Sequence, residues 1–202
     1  MRNTIRAISA VCLLTGLVGA AAHAAAPPAA APAKGLFQRD LLAVYSDTQK
    51  KVLDLEEAVP QNKLSWRPAP GVRSIAEAFM HIAFANYGLT KMITGKEPPA
   101  EVGWEMNPPK WDKKTTDKAE IKKILEKSFA HVHEVVAAVP DADLDKTVSF
   151  FGHDMTVRAV LIILAGHANE HLGQAVAYAR SNKITPPWSK DETAHHMAEK
   201  KP

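Results

Sequence analysis

Apolar and small residues recur at alternating steps of three and four in four long segments of the chain. This spacing places them on one face of an α-helix, so each segment predicts an amphipathic helix. The first segment spans residues 36–59 and stops before Pro60. Its predicted inward stripe consists of Phe37, Leu41, Val44, Thr48, Val52, Leu55 and Val59. The third segment opens near Thr116 or Asp117 and stops before Pro140. Its stripe consists of Ile121, Ile124, Ser128, Val132, Val135 and Val139.

The second and fourth segments carry the histidines that matter below. The second begins at Ser74, a good N-cap with Glu77 three residues later as a capping box, and it ends before Gly95. Its stripe consists of Ala78, His81, Ala85, Leu89 and Met92. The fourth starts near Thr156 and ends around Asn182. Its stripe consists of Val160, Leu164, His167, His171, Gln174 and Tyr178.

Four amphipathic helices predict an all-α fold, a four-helix bundle. The connection between the second and third helices, residues 94–115, is rich in proline and contains two tryptophans. At this length it can cross the whole bundle, so we expect those two helices to run parallel and the loop to cap one end. The stretch "KTVSFFGHDM" at 146–155 has β-branched and aromatic residues around a glycine, which predicts an extended excursion before the fourth helix.

The two ends of the chain lie outside the helical pattern. Residues 1–24 predict a cleaved signal peptide, with the positive start "MRNTIR", an apolar run and the small-x-small site "AHA". An uncleaved anchor is the alternative, but the run is shorter than the roughly 20 residues of a membrane span. Residues 25–35 predict an alanine-proline linker, 36–189 the bundle, and 190–202 a charged, solvated tail.

Charge and cysteine content narrow the function. Loss of Arg2 and Arg6 with the signal lowers the Lys+Arg count from 25 to 23, against 22 Asp+Glu. A nearly neutral chain without a block of basic residues lacks the positively charged surface that binds nucleic acid or an anionic membrane. We therefore expect a periplasmic or secreted protein, not stably inserted in a membrane, with a small-molecule substrate as partner and a homodimer left open. Cys12, the only cysteine, leaves with the signal.

Three histidines are the candidate chemistry. His167 and His171 lie four residues apart on one helical face, and His81 lies on the inward stripe of the second helix. A single inward histidine is more often a hydrogen-bonded core residue, but three favour a metal site. Three nitrogen ligands with the remaining positions open to water or substrate describe a catalytic type of site. Such ligands favour zinc, nickel or iron over calcium or magnesium.

Other polar residues have weaker claims. Glu77, Glu170 and Gln174 are candidates to orient the metal-bound imidazoles through their second ring nitrogen, although Glu77 is equally explained as a capping residue. His131 and His133 lie two apart and diverge on a helix, which predicts a solvated or partner-facing role. The remaining histidines are predicted in the signal, on the surface or in the tail: His23, His153, His195 and His196.

Three stretches together resemble a known family. "SIAEAFMH" at 74–81, "HANEHLGQAVAYARSNKITPPWS" at 167–189 and the approach "LSWRPAPGVRS" at 64–74 resemble the DinB-like (damage-inducible) superfamily of four-helix bundles, over about 36–189. The resemblance implies a long connection between helices two and three and a divalent metal held by His81, His167 and His171. The sequence departs from the family at Leu172, where a basic residue is frequent, and at Lys183, where glycine is usual.

The resemblance also implies a range of activities. Members include metal-dependent transferases that use low-molecular-weight thiols, and thiol-dependent isomerases. Our leading hypothesis is an exported metal-dependent enzyme with an open three-histidine site, either a thiol-dependent S-transferase or a hydrolase that activates water. The alternative is a non-enzymatic exported bundle that holds a metal or ligand, and a purely structural bundle comes third. For a general base the sequence offers no candidate beyond Glu77 and Glu170, and it assigns no catalytic or cofactor-binding residue besides the three metal ligands.

Overall fold

The computed structural model describes residues 35–189. The predicted signal peptide, nearly all of the linker and the tail lie outside these residues. Within them the chain forms four long helices: α1 (Leu36–Ala58), α2 (Ile75–Thr94), α4 (Lys118–Ala138) and α5 (Val157–Ser181). A short helix, α3 (Pro108–Asp112), lies between α2 and α4. The all-α bundle expected from the sequence is confirmed.

Local chemistry sets the helix ends close to the predicted positions. Ser74 caps α2 in a capping box: its Oγ accepts from the Glu77 backbone N–H at 3.2 Å, and Glu77 Oε2 accepts from the Ser74 N–H at 2.8 Å. Gly95 ends the helix in the left-handed conformation, with φ 68°. The side chains of Asp117 and Thr156 accept from backbone N–H groups at the starts of α4 and α5.

Helices α2 and α4 run parallel, as the long connection predicts. Each of α1 and α2 packs mainly against α4 and α5, so α1 and α2 lie diagonally opposite each other. Asn86 of α2 bonds Ser128 of α4, and one turn further on Thr90 bonds His131. The two helices therefore advance in the same direction. We call the connecting residues 95–117, which include α3, the crossover.

The crossover lies along the outer side of α2, so the expectation that it caps an end of the bundle is wrong. The indole of Trp111 donates to the Met80 carbonyl at 3.0 Å, and that of Trp104 donates to the Phe84 carbonyl at 3.1 Å. These two carbonyls are one helical turn apart on α2. Two tryptophans thus attach the crossover to the helix that carries His81.

The predicted extended excursion is a β-hairpin of strands β1 (Thr147–Phe150) and β2 (His153–Thr156). Phe151 and Gly152 form its two-residue turn with φ values of 50° and 85°. Positive φ at both turn residues matches the right-handed twist of hairpin strands. The hairpin delivers the chain directly to the N-cap of α5.

The inward stripes of α1 and α4 are partly wrong in detail. Val44 is 61% exposed, whereas the neighbouring Tyr45 is fully buried. Helix α1 packs between α4 and α5 along a line through Tyr45, Thr48 and Val52, and a helix turns about 100° per residue, so Val44 faces outward. In α4 the predicted positions Ile124 and Val135 are only half-buried, and the helix also buries Leu125, Phe129 and Val136, which the predicted stripe left out.

None of the helices in the described part of the chain is long and apolar enough to cross a membrane.

The end of α5 has one strained position. Lys183, which follows the helix, has φ 62° in the left-handed region. Glycine adopts this conformation without a Cβ penalty, which explains why it is usual there in the family that the sequence resembles.

Candidate metal centre

The three histidines predicted from the sequence meet in space. Helix α2 brings His81 against His167 and His171 of α5, and one ligand nitrogen from each ring lies within 4.8 Å of the other two. The ring centroid of His81 lies 5.2 Å from that of His167 and 4.7 Å from that of His171. The centroids of the α5 pair are 4.4 Å apart. Three imidazoles at this separation can share one ion.

Burial keeps the α5 rings in the form that binds metals. Removal from water, with a smaller contribution from the nearby His171 and His81, lowers the pKa of His167 to about 3. Burial also lowers the pKa of His171, which is only 7% exposed. Both rings are therefore neutral at physiological pH, with a lone pair on one nitrogen. A metal ion needs that lone pair, and it would meet no competing proton.

Polar neighbours engage the Nδ1 atoms of two rings. Gln174 Oε1 lies 2.8 Å from Nδ1 of His171, and the same amide donates to the Tyr178 hydroxyl at 2.9 Å. On the other side, Asp112 Oδ1 lies 3.1 Å from Nδ1 of His81. In both rings Nε2 is the nitrogen that remains for an ion. Partners of this kind orient metal-binding imidazoles in proteins.

The comparisons with known proteins identify the family of the chain. The family model of the DinB superfamily matches residues 45–175, a span that contains all three histidines. The chain belongs to the DinB superfamily. No curated protein matches it.

Two solved structures show the same fold. A DinB-like protein from Bacillus cereus ATCC 10987 is 21% identical, with a TM-score of 0.63, and the match covers 74% of this chain and 95% of that one. A DinB-like protein from Bacillus subtilis, YjoA, is 18% identical, with a TM-score of 0.57, and the match covers 72% and 93%. Identities this low establish the bundle architecture and leave the chemistry to the residues of each chain.

Two of the carboxylates expected beside the DinB-like site do not touch it. Glu77 bonds Ser74 in the capping box and pairs with Arg67 at 2.9 Å, so its role is to start α2. Glu170 precedes His171 but points away from the core and is exposed. Consecutive residues of a helix point about 100° apart, so Glu170 does not share the face of His171 although the two are neighbours in the sequence. The third candidate, Gln174, is the one that contacts a ring.

Sequence reasoning missed Asp112 and its partner Arg73. Asp112 is buried in the crossover, and Arg73 Nε donates to its Oδ2 at 2.8 Å. The sequence feature that could have pointed to Asp112 is its position next to a tryptophan, in a loop that is expected to pack on the bundle. The 31 residues that separate Asp112 from His81 hid the contact, because the path of the crossover cannot be derived from periodicity.

The other histidines of the DinB-like bundle lie elsewhere. His131 bonds Thr90 at 3.1 Å and His133 bonds Gln49 at 2.8 Å, so these half-buried rings are not fully solvated, and a partner-facing role for them stays a prediction. Burial lowers the pKa of both rings. His153 is exposed on β2, as expected of a surface histidine. His195 and His196 fall outside the described residues.

Two pairs of aromatic side chains connect to the site. The ring of Phe84 stacks on His81, with centroids 5.7 Å apart, and Trp104 of the crossover stacks on Phe84 at 5.4 Å. Tyr178, whose hydroxyl accepts from Gln174, meets Trp66 edge-on at 5.7 Å. A cavity of about 600 Å³ opens at the far end of the bundle and has none of the three histidines in its lining.

Proposed function

We propose that this protein is an exported metal-dependent enzyme whose divalent ion is held by His81, His167 and His171. The observation that carries the proposal is the convergence of three ligand nitrogens within 4.8 Å, supplied by two helices of a DinB-superfamily bundle. Three protein ligands leave coordination positions for substrate, the arrangement of catalytic rather than structural zinc sites. All-nitrogen ligation favours zinc, nickel or iron.

The residues present fit such an ion. Neutral imidazoles are good ligands, and burial lowers the pKa values of His167 and His171 so that both rings are neutral. Gln174 and Asp112 hold the Nδ1 sides of two rings, so the free nitrogens need little reorganisation to ligate. The fold thus orders these ligands before the ion binds.

Two reactions suit this site. When bound, the ion would act as a Lewis acid and would lower the pKa of a small thiol or of water. The first case corresponds to a thiol-dependent S-transferase and the second to a hydrolase. The thiol must come from a small molecule, because Cys12 is the only cysteine of the chain and lies in the predicted signal peptide. The two aromatic pairs, Phe84 with Trp104 and Trp66 with Tyr178, offer apolar surface to an organic substrate.

One observation favours a non-enzymatic binding bundle as the second candidate. The buried carboxylates of Glu77, one turn before His81 on α2, and of Asp112, which contacts His81, are already paired with Arg67 and Arg73. Neither is free to act as a general base. A bundle that only holds a metal or ligand needs no general base. Hydrolysis at this site would need the substrate or a second water molecule to act as the base.

Elemental analysis of the mature protein, purified without a tag, tests metal binding directly. The proposal expects close to one zinc, nickel or iron per chain, and protein that stays metal-free after incubation with each ion contradicts it. Metal-replete protein is then assayed with thiol and electrophile pairs and with ester and amide substrates. Turnover lost on chelation supports the enzyme. Stoichiometric metal without turnover in any of these assays favours the binding bundle.

Export is part of the proposal and has its own test. The charged start, short apolar run and "AHA" site support cleavage before Ala25. Mass spectrometry of the protein from the native cell envelope should find a new N-terminus near Ala25. A protein that still begins at Met1 contradicts cleavage. In that compartment we expect a small-molecule substrate rather than nucleic acid as the partner.

A further inference from the structure

The crossover places a buried carboxylate directly behind one of the three histidines. Asp112 is the last residue of α3, and its side chain is only 6% exposed. Its Oδ1 atom lies 3.1 Å from Nδ1 of His81, and its Oδ2 atom accepts a 2.8 Å bond from Nε of Arg73. Both oxygens of this carboxylate are therefore engaged.

Two neighbours make opposite demands on Nδ1 of His81. Besides Asp112, Nη2 of Arg73 also lies 3.1 Å from this nitrogen. A guanidinium only donates hydrogen bonds and a carboxylate only accepts them. Nδ1 must therefore carry a hydrogen to bond Asp112, and it must present a lone pair to bond Arg73. The two hydrogen bonds exclude each other.

The choice between them decides whether His81 can ligate an ion. A neutral imidazole carries one ring hydrogen. If that hydrogen is on Nδ1 and points to Asp112, Nε2 keeps its lone pair; if Nδ1 accepts from Arg73, the hydrogen is on Nε2 and blocks it. We propose that Asp112 is a positioning residue of the metal centre, which selects the tautomer of His81 able to ligate. The inference rests on the proposed metal binding.

The crossover holds this carboxylate in place by contacts that do not involve His81. The Trp111 indole, next to Asp112 in the chain, donates to the Met80 carbonyl at 3.0 Å. Asn107 caps the start of α3 by accepting from the Lys110 N–H at 3.2 Å. The way the crossover is attached to α2 therefore sets the position of the Asp112 oxygens. By thermodynamic linkage, an ion that requires this tautomer also favours the attached crossover.

The Asp112→Asn variant tests the selection. The amide has the shape of the carboxylate but no charge, and its NH₂ group can donate to Nδ1, which favours the blocked tautomer. We expect Zn²⁺ affinity, measured by competition with a chromophoric chelator at neutral pH, to fall roughly 10- to 100-fold. Nitrogen-15 NMR of the imidazoles gives a second readout. In metal-free wild type the His81 hydrogen should be on Nδ1, and in the variant it should move toward Nε2.

Glu105→Gln is the matched control, because it changes a second carboxylate of the crossover to its amide. Glu105 is half-exposed and pairs with Lys110, and its change leaves Asp112 and the tryptophan contacts intact. A general effect of removing negative charge from the crossover would lower the affinity in this variant as much as in Asp112→Asn. We expect the control to bind Zn²⁺ within about threefold of wild type, with the His81 hydrogen still on Nδ1.

The outcomes separate this inference from the proposed function. Wild type that binds none of Zn²⁺, Ni²⁺ and Fe²⁺ overturns both. Wild type that binds, with Asp112→Asn within about twofold of it and the same tautomer, overturns the positioning role and leaves the proposed metal site standing. Equal affinity losses in the two variants also overturn it. If Asp112→Asn does not fold, the wild-type spectrum decides, because a hydrogen on Nε2 of metal-free His81 contradicts the selection.

Discussion

The Nδ1 atom of His171 lies 2.8 Å from the side-chain oxygen of Gln174, almost one helical turn further along α5. An amide oxygen only accepts, so Nδ1 carries the ring hydrogen and Nε2 keeps its lone pair. The amide is itself fixed, because its NH₂ group donates to the Tyr178 hydroxyl at 2.9 Å. Three side chains on one face of α5 thus hold His171 ready to ligate.

Replacement of Gln174 by methionine should weaken metal binding. Methionine has a similar length but no strong acceptor for the Nδ1 hydrogen, so the ring loses its orientation. We expect Zn²⁺ affinity to fall about 10-fold, as measured by chelator competition. Gln49→Met is the matched control, since it removes an equivalent glutamine-histidine bond, to His133, outside the site. Equal affinities in wild type and Gln174→Met contradict the orienting role.

Removal of either α5 histidine should abolish most metal binding without unfolding the bundle. His167→Ala and His171→Ala each delete one ligand, whereas the core of the described helices is built from apolar side chains elsewhere. Elemental analysis should find little metal in either variant, and far-ultraviolet circular dichroism should remain helical. His153→Ala, which changes an exposed histidine, should keep its metal. Stoichiometric metal in both single variants contradicts the proposed ligand set.

Periodicity predicted the helices and the histidine cluster because both depend on local rules. The cap at Ser74 and the stop at Gly95 fix α2 through backbone hydrogen bonds and a positive φ, which individual residue types signal. His81 could be paired with the α5 histidines because its position on an inward stripe follows from helical spacing. Their binding of a metal stays a prediction.

Features that depend on helix rotation or on the path of a loop could not be predicted in this way. A valine at position 44 fits an inward stripe as well as Tyr45 does, and only the packing of α1 between α4 and α5 decides between them. The contact of Asp112 with His81 depends on two tryptophan anchors in the crossover. Such contacts follow from tertiary packing, which the hydrophobic pattern does not specify.

Tyr45→Phe should destabilise the bundle through a buried polar network. The Tyr45 hydroxyl donates to Asn86 Oδ1 at 2.6 Å, and Asn86 Nδ2 donates to Ser128 Oγ at 3.0 Å, which joins α1, α2 and α4. Loss of the hydroxyl leaves a buried amide oxygen without its donor, which costs about 1–3 kcal/mol of unfolding free energy. Urea denaturation measures the change.

Ser46→Ala controls for the loss of a hydroxyl on the same helix. Ser46 lies on the exposed side of α1, and among the described residues its hydroxyl donates only to the Leu42 carbonyl one turn earlier. Its removal should change the free energy of unfolding by less than about 0.5 kcal/mol. Equal stability of wild type and Tyr45→Phe contradicts the importance of the network.

Glu56 should make the fold less stable as the pH rises. Its side chain is fully buried near the end of α1, and neither carboxylate oxygen has a hydrogen-bond partner among the described residues. Burial raises the pKa of Glu56 from 4.5 to about 7. Between these two values the folded protein binds more protons than the unfolded chain, so the free energy of unfolding falls with rising pH in this window. Above it, the folded state carries a buried, unpartnered charge.

Glu56→Gln removes this charge while keeping the shape of the protonated acid. We expect the variant to unfold with a free energy higher than wild type by about 1–3 kcal/mol near pH 8, and to match it within about 0.5 kcal/mol near pH 4. Urea denaturation at the two pH values measures both differences. Glu57→Gln is the control with the opposite sign: a hydrogen bond from Lys122 lowers the pKa of the exposed Glu57, so its loss should destabilise the protein slightly at neutral pH. A pH-independent difference between Glu56→Gln and wild type contradicts the prediction, because only a proton bound on folding makes the difference depend on pH.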